Sequence, residues 1–160
     1  MKSILKLASL LVVLLALPAV AHEGIHIHDP YARVIGPSGV VFFMIDNQEH
    51  VDDTLLSVTS TTATAMLMND TADANGVMKM SMVPDGFVVK AGQTRLLTNV
   101  SDHVMLSAFT SKPKPGDTIE IILTFRNVGD VKLTVPVDNA RRSDPTMGPT
   151  QYDAKSAAMH

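Results

Sequence analysis

The sequence predicts an all-β domain, a β-sandwich or Greek-key barrel of about nine strands. Short apolar or alternating segments recur at a spacing of roughly 8–12 residues, with Gly, Pro and Asn between them, which is typical of such folds. No stretch has the 3.6-residue apolar period of an amphipathic helix, and no internal repeat is evident. The length of 160 residues fits one domain.

In the first half of the chain, two segments give the clearest strand signals. Residues 40–45 form a continuous apolar run, which predicts a strand buried on both faces. Residues 77–83 alternate methionine with valine, lysine and serine, which predicts a strand with methionine along one face. The polar segment 69–76 is predicted to be a loop. The strands predicted in this half are 31–35, 40–45, 54–59, 64–68 and 77–83.

In the second half, Pro84-Asp85-Gly86 predicts a turn, and the segment 112–117, which contains two prolines and a glycine, predicts a break between strands. The strands predicted here are 87–90, 94–97, 103–109, 118–125 and 131–137. Residues 139–160 are polar and contain two further prolines, so we expect a flexible tail.

The first 21 residues have the pattern of a secretory signal peptide. Lys2 and Lys6 precede an apolar centre, and Ala19-Val20-Ala21 provides a small-residue cleavage site. The uncharged run is short for a transmembrane helix, and a lipid anchor would need a cysteine, which the sequence lacks. We therefore expect cleavage after residue 21, a domain at 22–138, a tail at 139–160, and a periplasmic protein without a membrane span.

Charge and cysteine content exclude several classes of protein. The formal net charge of −3 becomes −5 when the two lysines of the leader are removed, which argues against a nucleic-acid partner. The absence of cysteine excludes a blue-copper electron carrier and a thiol oxidoreductase. Neither a Gly-x-Ser-x-Gly nor a His-Glu-x-x-His motif is present, so we expect no enzymatic activity.

The best candidate for a functional site combines methionine with one histidine. In an extended strand His103 and Met105 share one face, and Met78, Met80 and Met82 share one face of theirs. Thioether sulfur and imidazole nitrogen are the donors that Cu(I) prefers. The plainer alternative is that the methionines only fill an irregular core.

Several ordered motifs resemble the PCu(A)C family of periplasmic copper chaperones over residues 27–137. The motifs are Tyr31-Ala32-Arg33, Gly76-Val77-Met78-Lys79-Met80, Lys90-Ala91-Gly92-Gln93-Thr94, His103-Val104-Met105-Leu106, Lys114-Pro115-Gly116-Asp117 and Thr124-Phe125. The resemblance implies a cupredoxin-like β-sandwich that carries Cu(I) toward a cytochrome c oxidase copper centre.

The resemblance also implies the ligands. Met80, His103 and Met105 occupy three positions of the family pattern. The first ligand of the family, a histidine, does not carry over; we prefer Met68 there because the alternative Asn69 offers a hard oxygen donor, and Met66 is a further alternative. The implied partner is a cytochrome c oxidase copper-site subunit or another copper chaperone, and the protein is expected to be a monomer.

Two questions stay open at this stage. Cu(II) capture is a further hypothesis for both ends of the chain, which carry His22, His26, His28, Met147, Met159 and His160. Copper storage or tolerance and a metal-free interaction module remain alternatives to copper delivery.

Overall fold

The computed structural model describes residues 24–98 and 101–141. The strands are β1 (Ile25–Ile35), β2 (Ser38–Asn47), β3 (Asp53–Ser60), β4 (Thr64–Ala72), β5 (Met78–Met82), β6 (Phe87–Val89), β7 (Thr94–Leu97), β8 (Asp102–Ser107), β9 (Thr118–Phe125) and β10 (Gly129–Pro136). Within these ranges there is no helix, and hence none long and apolar enough to cross a bilayer. The predicted signal peptide and the tail beyond Arg141 lie outside the described residues.

The strands form two antiparallel sheets, so the predicted all-β sandwich is confirmed. The larger sheet has the order β1-β2-β8-β4-β5, with β7 also paired to β2, and the smaller sheet has the order β10-β9-β3-β6. Buried side chains of both sheets form one core, which includes Phe43, Ile45, Phe87 and Phe125. We call the side of the larger sheet that points away from this core its outward face.

Strand β2 is buried on both faces, as its apolar run predicts. Val41, Phe43 and Ile45 belong to the core, while Phe42 and Met44 are buried on the outward face. The Phe42 ring lies 5.2 Å from that of Tyr31, and the Arg141 guanidinium lies 4.5 Å above the Tyr31 ring. Arg141, which the sequence placed in the tail, thus packs on this sheet.

Strand β4 is longer than predicted, and this matters for the site. It continues to Ala72, so the prediction of a loop from residue 69 is wrong for residues 69–72. These residues pair with β5, and Asn69 also pairs with Asp102 of β8. Their polar side chains favour a loop locally, but pairing with β5 and β8 satisfies their backbone groups as a strand.

Strands β7 and β8 lie end to end along one edge of β2. Leu97 pairs with Phe43, and Val104 pairs with Val41, so the chain keeps its direction across the gap between them. Strand β8 begins at Asp102, which pairs with Asn69 of β4. His103 consequently sits where the second strand begins, beside the middle of the sheet.

A buried carboxylate stabilises the smaller sheet, and it provides a test of the fold. Asp53 accepts hydrogen bonds from the backbone N–H groups of Thr54, Asn127 and Val128 at 2.6, 3.0 and 3.2 Å. Asp53→Asn is expected to lower the free energy of unfolding by about 2 kcal/mol, because an amide NH₂ replaces one acceptor oxygen. Urea unfolding measures this change. The exposed Asp85 gives the control Asp85→Asn, and equal midpoints for the two variants would contradict the assignment.

Candidate metal centre

The outward face of the larger sheet brings methionine and histidine together on three adjacent strands. In the antiparallel register, Met68 of β4 lies directly opposite His103 of β8 on one side and Met82 of β5 on the other. Directly opposed residues share a face, with Cβ atoms about 5 Å apart. The row His103–Met68–Met82 therefore places two thioethers beside one imidazole.

The other predicted ligands lie one step away from this row. Met105 is two residues from His103 on the same face and opposes Met66. Met80 opposes Asp70, so it lies diagonally from Met68 rather than next to His103. Diagonal neighbours have Cα atoms about 7–8 Å apart, within reach of long side chains such as methionine. The structure thus brings Met68, His103 and Met105 together and puts Met80 at the edge of the group.

The register separates the three alternatives for the first ligand. Asn69 pairs with Asp102, and its Nδ2 donates to Asp102 Oδ1 at 2.6 Å on the inward face. Met66 and Met68 both lie on the outward face, and Met68 is the one across from His103. The geometry therefore favours Met68 over Met66 and is unfavourable to Asn69.

The imidazole of His103 is arranged as a ligand would be. It is 2% exposed, and its Nδ1 lies 3.0 Å from the carbonyl oxygen of Ser101. A carbonyl only accepts hydrogen bonds, so Nδ1 carries the proton and Nε2 carries the free lone pair. Nε2 is buried, and no hydrogen-bond partner for it exists in the described part of the chain. A buried acceptor without a partner is costly unless something else, such as a metal ion, binds it.

Asp70 is a functional candidate that sequence reasoning missed. Its Oδ2 lies 3.9 Å from Nδ1 of His103, and the residue shares the face of Met68 and Met80. The signal was the two-residue spacing from Met68, which gives a common face only if β4 continues beyond Met68. The polar segment is predicted to be a loop, and a loop gives Asp70 no defined face.

Two of the positions predicted for Cu(II), His26 and His28, lie outside this group. His26 and His28 are on β1, two strands from β8, with ring centroids 6.4 Å apart. His22, Met147, Met159 and His160 fall outside the described residues. Residues 24–98 and 101–141 contain no group of three or more His, Cys, Asp or Glu side chains able to hold a metal ion.

Residues 25–137 match the sequence profile of the family described as "Putative lipoprotein LpqE-like", which is more than half of the chain. The chain belongs to the LpqE-like family. A curated relative, "Putative lipoprotein Lxx21020" of Leifsonia xyli subsp. xyli, is 25% identical over 122 residues, which cover 75% of this LpqE-like chain and 73% of the relative.

Solved structures similar to this LpqE-like chain include PCuAC domains. The copper-bound PCuAC domain from PmoF2 has a TM-score of 0.58 at 17% identity, over 71% of this chain and 92% of that domain. Cu(I)-bound DR1885 from Deinococcus radiodurans has a TM-score of 0.58 at 23% identity, over 77% and 85% of the two chains. The resemblance to PCu(A)C proteins is thereby confirmed at the level of the fold.

A polar network on the inward face joins the strands that carry the candidate site. Nε of Arg95 donates to Asp102 Oδ2 at 2.7 Å, and NH2 of Arg95 donates to the same oxygen. The Arg95 guanidinium also lies 5.0 Å from the centroid of the Phe87 ring in the other sheet. Asp102 directly precedes His103, and Asn69 directly follows Met68. The network therefore fixes the strand segments that carry His103 and Met68.

The β5 methionines of the LpqE-like chain are on the surface. Met78, Met80 and Met82 are 59%, 46% and 61% exposed. Filling of an irregular core, the plainer explanation for a methionine stripe, therefore does not apply to β5. The stripe offers thioether sulfur to solvent two strands away from the buried His103.

Proposed function

We propose that this LpqE-like protein binds Cu(I) through Met68, Met80, His103 and Met105 and passes it to another copper protein. The observation that carries the proposal is the buried Nε2 of His103, which has no hydrogen-bond partner in the described residues, on a residue that lies directly opposite Met68 in the strand pair. Copper is the cargo in this proposal, and the protein is its carrier rather than an enzyme.

The chemistry of the donors supports Cu(I) over harder ions. Thioether sulfur is soft and polarisable, and it binds Cu(I) far better than it binds Mg²⁺, Ca²⁺ or Mn²⁺. The three thioethers and the imidazole of the proposed site carry no charge. The carboxylate of Asp70, whose Oδ2 lies 3.9 Å from Nδ1 of His103, would place a negative charge near the bound cation. Two solved structures of similar fold, the PCuAC domain from PmoF2 and DR1885, contain bound copper, which adds support for the metal.

Delivery outside the cytoplasm completes the proposal. The predicted leader at residues 1–21 would export the protein. The relative's name, a putative lipoprotein, fits the cell envelope. In an oxidising compartment a pair of thiols can be lost to a disulfide, whereas thioethers cannot form one. The proposed recipient is a cytochrome c oxidase copper-site subunit or another copper chaperone, as the resemblance to PCu(A)C proteins implies.

An anaerobic titration with Cu(I), followed by the methyl NMR signals of methionine, tests the binding. We expect one tightly bound equivalent that shifts the methyl signals of Met68, Met80 and Met105 and the ring signals of His103. The buried Met44 on β2 is the internal reference, because it lies on the same face but outside the proposed ligand set. Zn²⁺ is the control metal, since it should leave the thioether signals in place.

Two outcomes would contradict the proposal. One is that no Cu(I) binds in the presence of a competing chelator. The other is that only the signals of Met147 and Met159 shift, which would move the site to the tail. A second experiment separates delivery from storage. Cu(I)-loaded protein is mixed with a metal-free copper acceptor, and a delivery protein should transfer its Cu(I) to that acceptor.

A further inference from the structure

Strand β5 presents two exposed thioethers, those of Met78 and Met82, that are not among the four proposed ligands. Met78 and Met82 are more exposed than Met80, and the alternating residues Lys79 and Ser81 point to the opposite side. β5 stands at the end of the strand order of the larger sheet, so among the described strands it pairs only with β4. The stripe is therefore open to solvent along an edge of the molecule.

The outermost methionine, Met78, has only a small residue across the strand pair. Met78 lies directly opposite Ala72, whose side chain is small and exposed, so the thioether has little to pack against across the pair. A leucine or a polar residue would serve such a position equally well. A thioether differs from these side chains in its ability to bind a soft metal ion.

The stripe leads from solvent to the buried imidazole. Successive β5 methionines are about 7 Å apart along the strand, and Met82 lies directly opposite Met68, which lies directly opposite His103. His103 is 2% exposed, so a metal donor in solution cannot contact its Nε2 directly. The thioethers of β5 are the exposed soft donors nearest to this row.

We propose that Met78 and Met82 form a surface relay that takes up Cu(I) and hands it to the site formed by Met68, Met80, His103 and Met105. This inference rests on the proposed function. At each step a new Cu–S or Cu–N bond forms while an older bond breaks, first to the donor and then to a β5 sulfur. The metal remains Cu(I), nothing is oxidised or reduced, and no proton is transferred, because Nε2 of His103 already carries its lone pair.

The relay is tested with Met78→Leu, which removes one sulfur and keeps an apolar side chain of similar size. The full chain is mixed under anaerobic conditions with Cu(I) held by bicinchoninate, and the loss of the chelate absorbance is followed by stopped flow. We expect uptake to slow by about tenfold, the effect of losing one weak contact at the rate-limiting step. Val77→Leu, at the adjacent position with 60% exposure, is the matched control and should take up metal at the wild-type rate.

The outcomes separate this inference from the proposed function. Wild-type protein that takes no Cu(I) from the chelator would overturn both. Normal binding by the wild type, with equal uptake rates in Met78→Leu and Val77→Leu, would overturn the relay alone. If Met78→Leu lowers the equilibrium affinity by the same factor as the rate, Met78 is a ligand of the final site and the relay is wrong.

Discussion

His103→Leu is expected to reduce Cu(I) affinity by more than about 100-fold, since it removes the only nitrogen ligand of the proposed site. The same change should leave the metal-free protein as stable as the wild type, or more stable by about 1 kcal/mol. The substitution loses the hydrogen bond from Nδ1 to Ser101, but it also removes a buried Nε2 that has no hydrogen-bond partner in the described residues. These two effects on folding oppose each other, whereas the loss of metal binding has no compensation.

A competition titration with a Cu(I) chelator and a urea unfolding curve of the apo protein measure the two quantities. The exposed His50, in the connection between β2 and β3, gives the control His50→Leu, which should retain the wild-type affinity. If His103→Leu unfolds the apo protein, the histidine is a structural residue. If the variant binds Cu(I) as the wild type does, the proposed site is wrong.

Arg95→Met is expected to lower the free energy of unfolding by about 3 kcal/mol, because it leaves the buried carboxylate of Asp102 without its cationic partner. Asp102 would retain only the amide of Asn69 among its side-chain partners in the described residues. The ends of β4 and β8 should then loosen, and Cu(I) affinity should fall although no ligand has been changed. Chemical unfolding and chelator competition on the same preparations measure both effects.

A double variant distinguishes loss of the ion pair from loss of the Arg95 side chain itself. Arg95→Met combined with Asp102→Leu removes both charges and should recover much of the lost stability, since a buried ion pair is often replaceable by apolar packing. Arg126→Met at an exposed position is the control for removing a surface charge. A double variant no more stable than Arg95→Met would mean that the arginine acts through its contact with Phe87 rather than through Asp102.

Most of the fold could be predicted from local patterns. The apolar run at residues 40–45 and the alternation at residues 77–83 each depend on near neighbours, so strand and face followed directly from the order of residues. The predicted secondary structure is wrong where strand pairing overrides the local preference of the residues. The polar residues 69–72 form a strand because β5 and β8 satisfy their backbone groups.

The site could be predicted in its residue types but not in its arrangement. The spacing of His103 and Met105 determined that they share a face, because side chains alternate in any strand. Which methionine lies opposite His103 depends on the register between strands that are more than 30 residues apart in the chain, and no local pattern fixes that register. Met82, which the sequence places only on a common face with Met78 and Met80, lies in the His103–Met68 row because of that register, and Asp70 lies beside the site for the same reason.

The sequence by itself determined an all-β, cysteine-free domain with soft metal donors on strand faces, since composition and two-residue alternation are properties of the chain alone. Only the tertiary structure decided that His103 is buried with its Nε2 unpartnered among the described residues, while the β5 methionines are exposed. Burial and exposure depend on which strands become neighbours and which strand ends the sheet. The difference between a methionine that fills a core and one that can meet a metal ion was therefore set by the packing of the sheet.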